Sequence, residues 1–123
     1  MACVLVIEDN AANMKLAVFL LGLRGYEVLQ APDAEEGMRL AHDRQPALIL
    51  MDLQLPGMDG LAATRLLKAD PATRAIKIVA LTALAMVGDR ERIEAAGCDA
   101  YVAKPLSYKQ LLDVVGDLLG GPA

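Results

Sequence analysis

The stretch ALILMDLQLPGMDG, residues 47–60, decides how the rest of the chain is read. Its first five residues, Ala47 to Met51, are all apolar, with neither helical period nor polar alternation. A short run of that kind is expected of a strand covered on both faces, as in a parallel sheet between two layers of helices. The run ends abruptly on a carboxylate, Asp52.

Working outward, Cys3–Ile7 is a second uninterrupted apolar run, and it ends on Glu8 and Asp9. Glu27–Gln30, Lys77–Leu81 and Ala100–Ala103 are further strand candidates. Between them lie segments of helical period. Met14, Ala17, Val18 and Leu21 form the first apolar stripe, with Gly25 as its stop. Ala34, Met38 and Ala41 form a second behind Asp33 as N-cap, and Ala63, Leu66 and Leu67 a third, ended by Asp70–Pro71. Met86–Ala96 is the poorest, because Asp89, Arg90, Glu91, Arg92 and Glu94 leave little apolar face. Leu111, Leu112, Val115, Leu118 and Leu119 make a strong fifth, which Gly120–Gly121–Pro122 cannot continue. Strict alternation of five strands and five helices implies an α/β fold with one open parallel sheet and helices on both faces.

Composition bounds the function. One domain accounts for 123 residues, and 55% apolar content supports a packed core. A net charge of −4 and a pI near 4.9 argue against a duplex-DNA binder. One Phe, three Tyr and no Trp offer no platform for stacking single-stranded bases. Cys3 and Cys98 are too few for a disulfide framework and read as free thiols. The N-terminus lacks the basic and long apolar regions of a signal peptide. The longest apolar stretch, Ile78–Val87, is ten residues interrupted by Thr82, against about 20 for a membrane span. A soluble, cytoplasmic protein is expected.

Ligands of open α/β sheets bind outside the carboxyl ends of the strands. The residues that end the apolar runs are Glu8 and Asp9, Asp52, Thr82, and Lys104 before Pro105. Each alone has a plain explanation as a cap, a turn former or a solvated side chain. Together they bring three carboxylates, a hydroxyl and an amine to one rim. Three unpaired carboxylates repel one another, and a divalent cation with one ammonium balances them. An oxygen-only ligand set suits Mg²⁺, which keeps several waters and bridges to phosphates, and zinc's His and thiolate ligands are missing. The set is suited to an acyl phosphate on a carboxylate.

These blocks together carry a family resemblance: Ile7–Asn10 (IEDN), Met51–Gly60 (MDLQLPGMDG), Ala80–Ala83 (ALTA) and Tyr101–Pro105 (YVAKP). Over essentially its full length the chain resembles the receiver domain of two-component response regulators. The resemblance implies a flavodoxin-like (βα)5 sheet of strand order 2-1-3-4-5, with the receiver domain over residues 1–119 and a tail at 120–123. It implies Asp52 as phosphoacceptor, with Asp9 and Asp52 ligating Mg²⁺ through carboxylates and Gln54 through its carbonyl. Glu8 would act through a metal-bound water. Thr82 and the amide of Ala83 would bind phosphoryl oxygens, and Lys104 would neutralise another. Tyr101 would be the aromatic that moves with Thr82 in the switch. The Lys104–Pro105 bond is expected to be cis, Pro56 to sit in the turn before the acceptor loop's end, and Gly60 to suit its tight path. Gln54 and Leu84 would border the path of hydrolytic water. The start of the first helix, Asn10, Asn13, Met14 and Lys15, resembles single-domain cell-cycle receivers and the receivers of hybrid kinases.

The implied partners are a histidine kinase or histidine phosphotransfer protein and a downstream protein, with no direct nucleic-acid or membrane role. The chain would be no enzyme toward an outside substrate, although it would promote its own phosphorylation and dephosphorylation. A haloacid-dehalogenase-type phosphatase would want a second acid where Gln54 stands. A flavodoxin-like cofactor binder would want a phosphate loop where Glu8, Asp9 and Asn10 stand. The remaining alternative is a degenerate receiver used only for protein interaction, against which the complete set of Glu8, Asp9, Asp52, Thr82 and Lys104 argues. His42, in a charged helix end, is expected to be solvated, and Met51 and Met86 to be filler.

Overall fold

Alternating strand and helix produce the expected three layers. A computed structural model describes residues 2–83 and 88–120. The elements are β1 (Cys3–Ile7), α1 (Ala11–Leu23), β2 (Glu27–Ala31), α2 (Ala34–Arg44), β3 (Leu48–Asp52), α3 (Gly60–Ala69), β4 (Lys77–Thr82), α4 (Asp89–Ala96), β5 (Ala100–Ala103) and α5 (Tyr108–Leu118). The sheet is parallel throughout, in the order β2-β1-β3-β4-β5.

Alternation along the central strands sends successive side chains to opposite faces. Val4, Val6, Leu48, Leu50, Val79 and Leu81 form one core with α1 and α5. Leu5, Ile7, Ile49, Met51 and Ile78 form the other, mainly with α2 and α3. A smaller cluster of Leu61, Ala80, Ile93 and Ala96 seats α4. Every residue of β3 is buried, as two-sided coverage requires. Gly37 of α2 lies so close to β1 that a Cβ there would fall 2.3 Å from Ile7 Cδ1.

Several boundaries differ from the sequence reading. β3 starts at Leu48 and takes in Asp52, β4 takes in Thr82, and β2 continues to Ala31. Polar strand ends are still ladder members, because backbone pairing does not stop where the side chain changes. On α3 the buried stripe is Leu61, Ala63, Thr64 and Leu67, whereas Leu66 is 53% exposed. Thr64 stays inside because its hydroxyl donates to the Gly60 carbonyl at 2.8 Å. Asn10 caps α1, Asp33 caps α2 and Ser107 caps α5. α4 is described from Asp89; Met86 and Leu84 lie outside the described residues. No helix among the described residues is long and apolar enough to cross a membrane.

Candidate functional site

Register brings the chemistry together. Ile7 stands beside Met51, so the next residues along β1 and β3, Glu8 and Asp52, are neighbours. Asp52 pairs with Leu81, and Thr82 with Ala103, so Thr82 and Lys104 end the next two strands on the same rim. The Lys104 amide donates to the Thr82 carbonyl at 2.8 Å, and the Lys104–Pro105 bond is cis.

Glu8 and Asp52 are each only 2% exposed, whereas Asp9 is exposed at the mouth. One carboxylate oxygen from each of Glu8, Asp9 and Asp52 lies within 4.8 Å of the others. Lys104 Nζ sits 3.1 Å from Asp52 Oδ1 and 3.2 Å from Glu8 Oε1. The Gln54 amide donates to Asp52 Oδ1 at 3.0 Å, and the Asn10 amide to Glu8 Oε2 at 3.2 Å. Glu8 Oε1, though close to the ammonium, accepts no aligned hydrogen bond among the described residues. Burial, then proton sharing with Asp52, raises the Glu8 carboxyl from 4.5 to about 7, against the lowering pull of the Asn10 amide and Lys104. Burial works against the Lys104 charge, but Asp52 and Glu8 together outweigh it and raise the ammonium's pKa.

The rim therefore has three carboxylates, one ammonium and a buried acceptor lacking a donor. That donor set fits a hard divalent cation: all oxygen, clustered, and two positive charges short of balance. Glu8, Asp9 and Asp52 are the residues placed to hold it, with the Gln54 backbone at the same loop.

Close packing supports the acceptor from behind. A Cβ on Gly60 would fall 2.3 Å from the Asp52 carbonyl and 2.8 Å from Leu53 Cα, so only glycine lets the loop return under the acceptor. Asp59 caps α3 through the Ala62 amide at 2.8 Å. Pro56 and Gln54 are exposed on this loop, and Gly57 takes a φ of 77°. Beside the rim, a cleft of about 360 Å³ is lined by Gln54, Asp59, Thr82, Ala83, Asp89 and Arg92, among others. Arg92, which the sequence left open between a solvated helix face and a partner surface, is exposed, pairs with Asp89 at 3.2 Å and borders this cleft.

Thr82 and Tyr101 share a sheet face, since Tyr101 pairs with Ala80 and Thr82 with Ala103. Tyr101 is half-buried against the Leu61–Ala80–Ile93–Ala96 cluster. His42 is exposed near the end of α2, with Nδ1 3.7 Å from Asp43 Oδ1.

Residues 4–116 match the family model described as "Response regulator receiver domain". The chain belongs to the response regulator receiver family. It is 44% identical over 117 residues to the polar-differentiation response regulator DivK of Brucella anthropi, covering 95% of each chain. The DivK of Brucella ovis matches equally well over the same span. Among solved structures, the receiver domain of a Pseudomonas aeruginosa sensor histidine kinase is 36% identical, with a TM-score of 0.89 and 98% of each chain covered. That structure has a magnesium ion coordinated in its active-site cleft. A receiver domain of a Syntrophus aciditrophicus signal-transduction histidine kinase is 30% identical, with a TM-score of 0.90, covering 97% of this chain and 90% of that one.

Proposed function

We propose that this receiver accepts a phosphoryl group on Asp52 from a histidine kinase or histidine phosphotransfer protein, and that the phosphorylated form changes its affinity for a downstream protein. The observation that carries the reading is the buried Asp52 carboxylate, held by Lys104 and the Gln54 amide, beside the under-compensated Glu8 and Asp9. In this reading residues 1–119 are the working unit, 120–123 a tail, and the protein acts in the cytoplasm.

An Asp52 carboxylate oxygen attacks the phosphorus of a phosphohistidine. An O–P bond forms, the N–P bond breaks, and the departing imidazole leaves with its electron pair, to be protonated from solvent. Lys104 pairs with charge on the transferring group, and the Thr82 hydroxyl and Ala83 amide donate to its other oxygens. Glu8, Asp9, Asp52 and the Gln54 carbonyl would hold Mg²⁺, which supplies compensation for the phosphoryl charge. The aspartyl phosphate adds close to two negative charges. Drawing Thr82 toward that charge frees space on the face it shares with Tyr101, so Tyr101 can turn inward beside α4. Contacts that differ between the two states are what allow phosphorylation to bias them, and the Thr82 hydroxyl is the proposed one.

Incubation with acetyl phosphate and Mg²⁺ should add one phosphoryl group, mapped by peptide mass spectrometry to Asp52, and none to Asp52→Asn. Phosphate on His42, or on Asp52→Asn, would defeat the assignment. A degenerate interaction module would take up none.

A further inference from the structure

α3 and α4 lie side by side, joined by the cluster of Leu61, Ile93 and Ala96. Between them runs a groove of about 240 Å³, lined by Leu61 and Arg65 from α3 and by Arg92, Ala95 and Ala96 from α4. Helical spacing explains that lining. Leu61 and Arg65 are i and i+4 on one helix, and Arg92, Ala95 and Ala96 are i, i+3 and i+4 on the other, so each set shares a face. The apolar members are Leu61 and Ala96, which are buried, and Ala95, which is exposed. Ala95 and Ala96 project no further than Cβ, which keeps the α4 wall low.

Each wall carries one exposed arginine. Arg92 gives Nη1 to Asp89 at 3.2 Å, and its guanidinium has further N–H donors to offer. Arg65 makes no hydrogen bond or ion pair among the described residues, so the uncompensated charge of the groove is its own. The next cation along α3, Lys68, is committed to Asp99 at 3.1 Å and to the Ile76 and Arg74 carbonyls. Among the described residues no carboxylate lines the groove; Glu94 pairs with Arg90 at 3.4 Å and lines the cleft beside Tyr101 instead. In a chain of net charge −4, this is a positively lined groove with an apolar floor. Planar guanidinium forks match carboxylates. A polyanion such as nucleic acid would find two such groups and the repulsion of an acidic chain around them.

We propose that the α3–α4 groove seats an acidic segment of a partner protein, with a carboxylate on the Arg65 and Arg92 guanidiniums and a neighbouring aliphatic side chain on Leu61, Ala95 and Ala96. None of Glu8, Asp52, Thr82 or Lys104 lines it. The inference therefore goes beyond the phosphoacceptor reading and stands whether or not Asp52 takes up phosphate.

NMR chemical-shift titration of the full, unphosphorylated chain with an end-capped Glu-Leu-Glu-Glu-Leu-Glu peptide tests this. Saturable shifts should gather at the amides of Arg65 and of Arg92 to Ala96. Peptides with Gln in place of Glu, or Ser in place of Leu, should each bind about tenfold more weakly, since one lacks the charge and the other the aliphatic contact. Arg65→Gln should weaken binding of the parent peptide about tenfold, the scale of a lost charge-assisted hydrogen bond. Ala95→Glu, which sets a carboxylate in the groove at an exposed helical position, should weaken it at least as much. Arg90→Gln removes an equal charge from the other cleft and should leave affinity within about twofold of the parent. Equal losses in Arg65→Gln and Arg90→Gln would reduce the effect to diffuse attraction and overturn the proposal. So would an absence of saturable shifts, binding that Ala95→Glu leaves intact, or oligothymidylate binding the same amides more tightly than the peptide.

Discussion

Two lysine–aspartate pairs of equal length sit at opposite ends of the sheet: Lys104–Asp52 at 3.1 Å and Lys68–Asp99 at 3.1 Å. Around Lys68 the accounts close. One ammonium meets one carboxylate and two carbonyls, and the carboxylate takes a backbone amide as well. Around Lys104 they do not, because one ammonium pairs with two carboxylates, Asp9 adds a third to their cluster, and among the described residues Glu8 Oε1 has no aligned donor. The same pair of residue types therefore serves as a fastening in one place and as part of an incompletely neutralised cavity in the other. What differs is the number of like charges gathered around the lysine, and that number is set by strand register.

The widest separation between the two regions should appear in phosphoryl uptake. Lys104→Met should slow uptake from acetyl phosphate by about a hundredfold, the scale of losing one preorganised charge at a reacting group. Lys68→Met should stay within about twofold of the parent. Similar slowing in both variants, followed by intact mass against time, would erase the distinction.

Removing a carboxylate should then act with opposite sign at the two ends. Asp99→Asn loses a balanced ion pair and should lower unfolding free energy by about 1–2 kcal/mol. Asp9→Asn relieves repulsion and should raise the metal-free value by about 1 kcal/mol, while weakening Mg²⁺ binding about tenfold. Urea unfolding of both variants beside the parent measures this, and the same sign in both would break the comparison.

These contrasts were unequally legible in the sequence. Glu8, Asp9, Asp52, Thr82 and Lys104 stood out because each interrupts or follows an apolar run, and parallel strands align such ends on one rim. The alternation of runs and stripes likewise implied the layers. The 2-1-3-4-5 order came from the family resemblance, since periodicity does not say which strands pair. The Lys68–Asp99 pair was invisible: 31 positions separate its members, and each looks like an ordinary surface charge. Leu66 was misread because its spacing from Ala63 fits a stripe, yet the face that packs on the sheet is the one bearing Leu61 and Thr64. Gly60 was recognisable as a loop residue, but the 2.3 Å approach to the Asp52 carbonyl that demands glycine is a tertiary fact.

A smaller effect concerns pH. Glu8 is held at about 7 in the fold against its ordinary 4.5, so between those values the folded chain binds more protons than the unfolded one. Metal-free stability should therefore fall as pH rises through this window. Glu8→Gln, which cannot ionise, should flatten that slope. Thermal unfolding in chelator across pH 4.5–7.5 checks the direction, and a stability that climbs over the window in the parent but not in Glu8→Gln would reverse the assignment.

The central claim is that the acceptor rim is one cation short of balance and the opposite end is not. Calorimetric titration with Mg²⁺ at pH 5.5 and pH 7.5 tests it most directly. The account predicts one site, tighter at the higher pH as Glu8 gives up its proton, weakened in Asp9→Asn and unchanged in Lys68→Met. No binding at pH 7.5, or binding that Asp9→Asn leaves intact, would contradict it.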